Sequence, residues 1–307
     1  MSFVGSALDL HLSTVLLATD FSPASVKPLR RALAIARGYR AKLYVAHVVS
    51  PASYLMAGPE ALERACEAAA EDAQQLQRDL EHDGALNGLD HEFIIRRGRV
   101  WEELQAVILE NQIDLIVVGT HGRRGIDKLL LGSVAQKVFQ EAPCPVLTVG
   151  PHSYGNGRVD LTGGIRTCLF ATDFGEASLG ALPQAASLAS RTNSKLFLVH
   201  VVPAPLMPQI PGWYSASELT AMRNNALATA MRRLEQLFPR DEQPPIEREL
   251  VAQYGIPSEK ILQLALEREI DLIILGLGHA SLLSDMLGTS AYEIVCGAGC
   301  PVLTIRQ

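Results

Sequence analysis

Hydrophobic positions along the chain fall into two alternating kinds of run. Short, β-branched apolar stretches occur at Thr14–Ala18, Lys42–Val49, His91–Arg96, Asp114–Val118 and Val146–Val149. Between them lie longer segments with helical spacing: Pro23–Arg37, Glu60–Leu80, Val100–Glu110 and Ser133–Glu141. Strands alternating with amphipathic helices predict a parallel sheet covered on both faces. Leu115–Val118 and Leu272–Leu275 contain no polar residue, as suits central strands buried on both sides. Right-handed crossovers then give a doubly wound α/β sheet, whose ligands sit at the carboxyl ends of the strands near the switch in strand order.

The whole pattern occurs twice. Leu16–Ser25 reads LLATDFSPAS and Leu169–Ser178 reads LFATDFGEAS. Lys42-Leu43 and His47–Val49 return as Lys195-Leu196 and His200–Val202; Ile113–Ile116 returns as Ile270–Ile273; Cys144–Thr148 returns as Cys300–Thr304. Four matches in one order at nearly constant offset mark a duplicated domain, and the period is far too long for a solenoid. The reading is a first domain over 1–150, a second over 165–307, and a Gly/Pro/Asn/Ser-rich linker over 151–164. A length of 307 residues fits two domains, and 48% hydrophobic residues give each a core to bury.

Charge and cysteine usage narrow the partners and the setting. A net charge of -6 argues against a nucleic-acid footprint, which needs a clustered basic surface. The cysteine count, five without CxxC spacing, points to reduced thiols rather than a disulfide framework. Met1–Leu12 lacks the basic-then-apolar pattern of a signal peptide, and no apolar run reaches the ~18 residues of a membrane span. These readings predict a cytoplasmic protein.

Chemistry concentrates at the strand ends. After the first strand comes Thr19-Asp20-Phe21-Ser22-Pro23, with Ser22 placed to cap a helix and Pro23 in its first turn. Asp20, repeated as Asp173, reads either as a turn carboxylate holding nearby backbone N–H groups or as a ligand contact. After the fourth strand, Gly119-x-x-Gly122 is followed by nine residues and then Gly132-Ser133 at a helix start. Glycines there let backbone N–H groups approach an anion, and a helix N-terminus favours phosphate. Arg123, Arg124 and Lys128 in the intervening loop offer countercharge.

This combination resembles the universal stress protein family: Gly119-x-x-Gly122, nine residues, Gly132-Ser133, the upstream Asp20 and the closing Pro145-Val146-Leu147. The repeat makes the chain similar to a tandem member. The resemblance implies two doubly wound, Rossmann-like domains, each a five-stranded parallel sheet of order 3-2-1-4-5. It also implies ATP, or ADP or AMP, as ligand in those members that keep the glycine pattern. Carried onto this sequence, Thr19 and Asp20 would meet the adenosine part. Val48 and Val118 would line the adenine slot. Gly119, Gly122, Arg123, Gly132, Ser133 and Val134 would surround the ribose and phosphates. Mg2+ stays open as an accompanying ion, with no metal ligands assigned. The final strands, Val146–Val149 and Val302–Ile305, would pair within the chain, and a homodimer is expected.

The second copy departs from the pattern. Gly276-Leu277-Gly278 is one residue shorter than the first glycine turn, the loop lacks arginines, and it carries Asp285. Gly278, nine residues, then Gly288-Thr289-Ser290 survives, as do Thr172, Asp173 and Val201. These define a second site expected to be weaker or empty. Walker A, the dinucleotide G-x-G-x-x-G turn, H-E-x-x-H and G-x-S-x-G are all missing from the chain. The sequence therefore predicts a stress-response or signalling module that binds ATP mainly in its first half, with slow hydrolysis at most. The alternatives are a nucleotide-independent interaction protein with a structural glycine loop, and an adenylating enzyme of the adenine-nucleotide α-hydrolase type.

Overall fold

The computed structural model describes residues 12–54, 56, 58–120, 131–151, 164–204, 215–237, 246–278 and 290–306. The first half runs β1 (Thr14–Ala18), α1 (Val26–Tyr39), β2 (Lys42–Val49), α2 (Pro59–His82), β3 (His91–Arg97), α3 (Val100–Glu110), β4 (Leu115–Gly119), α4 (Ser133–Glu141) and β5 (Val146–Val149). The second half repeats it as β6 (Thr167–Ala171), α5 (Glu176–Thr192), β7 (Lys195–Pro203), α6 (Ala216–Leu237), β8 (Arg248–Gly255), α7 (Pro257–Glu267), β9 (Leu272–Leu277), α8 (Ser290–Gly297) and β10 (Val302–Arg306).

Each half has the strand order 3-2-1-4-5, and the two sheets join into one of ten strands, β3-β2-β1-β4-β5-β10-β9-β6-β7-β8. Every pairing is parallel except the seam, where β5 and β10 run antiparallel with Leu147 opposite Leu303. The central strands are buried as their composition requires: Leu115, Val117, Leu272 and Ile273 have no exposed surface. Apolar residues from both halves share each of the two main cores; Leu17, Leu147, Phe170 and Leu303 fall in one, Leu16, Phe139, Tyr292 and Val302 in the other.

The starts of β4 and of the first helix differ from the sequence reading, the former through a carboxylate. Asp114 does not begin β4. Its Oδ2 instead accepts the backbone N–H groups of Ser13 (2.7 Å) and Thr14 (3.0 Å), tying the start of β1 to that of β4. Asp271 does the same for Arg166 (2.8 Å) and Thr167 (3.1 Å) in the second half. The first helix opens as a 3-10 turn over Pro23–Ser25, and Ser22 makes no side-chain cap bond.

Candidate functional site

The strand order puts β1 and β4 side by side, with crossovers leaving to opposite faces, so a crevice opens above their carboxyl ends. A cleft of ≈ 580 Å³ occupies it. Thr19, Asp20, Val48, Val118, Gly119, Gly132, Ser133 and Val134 all line this cleft. They come from four separate stretches of chain: just after β1, at the ends of β2 and β4, and at the start of α4. Gly122 and Arg123 lie outside the described residues.

The turn after β1 is built by its own side chains. Phe21 takes a positive φ of 57°, a conformation that costs a bulky residue energy and needs support. Support comes from Thr19, whose Oγ1 accepts the Phe21 N–H (3.0 Å), and from Asp20, whose Oδ1 accepts the Ser22 N–H (3.0 Å) and the Ser25 hydroxyl (2.8 Å). Asp20 therefore holds the turn as well as lining the cleft. His47 lies against Phe21, with ring centroids 5.0 Å apart, and its Nδ1 is 2.8 Å from the Thr19 carbonyl. A carbonyl only accepts, so Nδ1 carries the proton in this contact.

The opposite wall begins at Gly132. Its N–H donates to Thr120 O (2.9 Å), and its carbonyl accepts from Gln136 N–H (2.8 Å), which starts α4. Gly132 offers no side chain as a cap. The first N–H groups of α4, on Ser133, Val134 and Ala135, thus belong to the set that a helix cannot satisfy internally. Those residues line the cleft, so the positive end of the helix dipole faces it. Ala46, Val48, Val118, Leu104 and Ala69 supply apolar wall. The combination is an apolar slot leading to an anion-favouring helix start.

Several lining residues carry no sequence motif. Tyr54 and Ser53 come from a 3-10 turn after β2, and Ala65, Ala68, Ala69 and Asp72 come from α2. The signal in α2 was its run of alanines, which lets the helix pass close to the cleft. Among the described residues no cluster of three or more His, Cys, Asp or Glu could hold a metal ion.

Among the described residues the second half keeps the turn and has a smaller cleft beside it. Asp173 Oδ1 accepts the Gly175 N–H (2.8 Å) and the Ser178 hydroxyl (2.6 Å), and Thr172 Oγ1 accepts the Phe174 N–H (2.9 Å). Burial pushes the Asp173 pKa up, yet the donors from Ser178 and Gly175 outweigh it and hold the carboxyl below its usual value. Thr172 is buried. Gly276 has a packing reason to be glycine: a Cβ there would stand 2.4 Å from Ala177 O and 2.6 Å from Ser178 Cα. Gly278 also lies under Ala177, with 3.3 Å to its Cβ. Ser290 begins α8, while Gly288 and Thr289 lie outside the described residues. A smaller cleft of ≈ 330 Å³ in this half is lined by Phe174, His200, Val202, Asn225, Ala226, Thr229, Ala230 and Arg233; the described second-site residues, Thr172, Asp173, Val201, Gly276, Gly278 and Ser290, are not among them.

Comparison with known proteins agrees with this architecture. The model of the universal stress protein family matches twice, over residues 11–150 and 164–306. A universal stress protein of Thermus aquaticus is 36% identical over 140 residues, covering 44% of this chain and 97% of its own. Universal stress protein A homolog 1 of Coxiella burnetii is 35% identical over 154 residues, covering 46% of this chain and 97% of its own. The crystal structure of a universal stress protein from Archaeoglobus fulgidus shares the fold across both halves, with a TM-score of 0.68 at 20% identity, covering 97% of this chain and 98% of that one. With two matches that together span most of its length, the chain belongs to the universal stress protein family and carries two such domains in tandem.

Proposed function

We propose that the first half binds an adenine nucleotide, ATP in the first instance, and that the protein acts as a cytoplasmic, nucleotide-dependent stress-response or signalling module. One observation carries this reading: eight residues that the family resemblance assigns to the site converge on a single cleft whose far wall is an uncapped helix N-terminus. The fit is chemical as well as spatial. A cleft of ≈ 580 Å³ lies inside the ~300–1,000 Å³ range of small-molecule sites. Val48 and Val118 suit the faces of a base, Asp20 can accept from a ribose or base donor, and the α4 N-terminus suits phosphate. A magnesium ion would ride mainly on the phosphates, as this ion commonly does. Binding would bias conformation or partner choice, which requires unequal affinity for two states of the protein.

The test is to purify the chain, denature it, identify released nucleotide by chromatography, and titrate stripped protein with ATP. We expect one nucleotide per chain, lost in Gly132→Val. Gly132 sits at φ -57° and ψ 149°, so its backbone accepts a side chain while the new methyl groups crowd the α4 N–H groups. Two nucleotides per chain would extend the site to the second half. No nucleotide and no response to ATP would leave the nucleotide-independent interaction protein as the reading.

A further inference from the structure

The smaller cleft in the second half has a chemistry of its own. Phe174 is held at a positive φ of 61° by the Thr172–Asp173 turn, and its ring centroid is 4.3 Å from that of His200. The Arg233 guanidinium lies over the other partner of this stack, 4.0 Å from the Phe174 centroid. An arginine resting on an aromatic face is drawn there by the ring, and its N–H edge can still meet a ligand. Thr229 Oγ1 accepts from Arg232 Nη2 (3.1 Å), which leaves its hydroxyl proton to be donated elsewhere. Asn225 completes the polar lining from the same helix.

The first half shows what changed. α2 and α6 begin at Pro59 and Ala216, and β3 and β8 begin at His91 and Arg248 in the same register against Leu43 and Leu196. Both pairs share one offset, so Asn225, Thr229 and Arg233 stand where the first half has Ala68, Asp72 and Leu76. The Phe–His stack is kept, as Phe21 with His47. Around it, a carboxylate has become a hydroxyl and an apolar side chain has become a guanidinium. Among the described residues no carboxylate forms an ion pair with Arg233. The nearby Asp173 has its Oδ1 occupied by Ser178 and the Gly175 N–H.

We propose that this cleft, which lies in the second half where His47, Ala68 and Asp72 line the nucleotide cleft of the first, is a second ligand site with altered chemistry, which takes a small oxyanion borne on a phosphate or carboxylate group and recognises it through Arg233, Thr229 and Asn225. Paired N–H donors of a guanidinium match the oxygens of either group. The ≈ 330 Å³ of space holds such a group with a small organic body attached.

The test uses the full chain and the ring proton resonances of His200, assigned with His200→Gln, so that anion binding elsewhere is not counted. Inorganic phosphate and malonate are titrated separately. A saturable shift with phosphate alone identifies a phosphate-bearing ligand, with malonate alone a carboxylate, and with both a general oxyanion site; each supports the proposal. Arg233→Leu should weaken the response about tenfold or more, and Arg233→Lys should fall between, because charge remains while the paired donors are lost. Arg223→Leu, which removes the same charge from the same helix outside the cleft, should leave it within about twofold. No shift, a shift that never saturates, or one unchanged in Arg233→Leu overturns the proposal.

Discussion

Single residues in this protein often do two jobs, and only one of them is written in a motif. Gly276 belongs to a glycine pattern that reads as a ligand loop, yet the first turn of α5 occupies the space a Cβ would need. Gly276→Ala should therefore destabilise by roughly 1–3 kcal/mol through overpacking, read from denaturant unfolding, whether or not any ligand is present. An unchanged midpoint would mean that α5 can shift at no cost. Asp173 gives a pH-dependent counterpart. Its folded pKa lies below the ordinary value of 3.8, so its contribution is present above that pH and fades as pH falls through the folded value. The stability gap between wild type and Asp173→Asn should hold from neutral pH down to about 4 and close below it. Burial pushes the Cys144, Cys168 and Cys300 thiols up to about 12, so the native protein should react with a thiol reagent at Cys66 and Cys296 at most, and at all five when denatured. Site residues on strand ends were legible through the glycine spacing and the family resemblance it supports, because the strand order itself brings those ends together. Tyr54, Asp72 and the alanines of α2 were not, since their place depends on how far the helix packs from the sheet.

At the scale of elements, periodicity located nearly every strand and helix of the first half, because buried parallel strands must be apolar and their helices amphipathic. Boundaries failed where a side chain competes with the backbone. The repeated Ile-Asp-Leu-Ile stretch was visible as a mark of duplication, but its aspartate acts as a clamp between the amino ends of adjacent strands, β1 with β4 and β6 with β9. Asp114→Ala leaves the Ser13 and Thr14 N–H groups without this acceptor. It should cost about 1–3 kcal/mol of stability. The clamp sits at the opposite end of the sheet from the cleft, so ATP affinity should be unchanged in the folded variant. A loss of affinity equal to the loss of stability would instead tie the two ends of the sheet together.

The two halves make one molecule through the β5–β10 seam. Thr148 Oγ1 donates to Val302 O (3.1 Å) and Thr304 Oγ1 donates to Val146 O (3.2 Å), a reciprocal pair of bonds inside a buried strand junction. Arg306 adds a bond to Phe139 O (2.7 Å) in the last turn of α4, the end of the helix where a cation is favoured. Phe139 and Tyr292 meet edge to face, and the Arg191 guanidinium lies 4.4 Å from the Tyr39 ring centroid. With both cores continuous across this junction, calorimetry should show one unfolding transition for the full chain. The response to nucleotide then measures the coupling. ATP at 100 times its dissociation constant stabilises by about 2.7 kcal/mol, which is roughly 4 °C if all 307 residues unfold together but roughly 9 °C if the first half unfolds alone. Thr148→Pro removes an N–H from the middle of the sheet and the hydroxyl bond with it, so it should lower the midpoint and split the transition in two. In that variant the ATP shift should be confined to one of the two steps and grow toward the larger value. Two transitions in the unmodified chain would mean that the shared cores do not couple the halves, and that each domain keeps its own stability despite the continuous sheet.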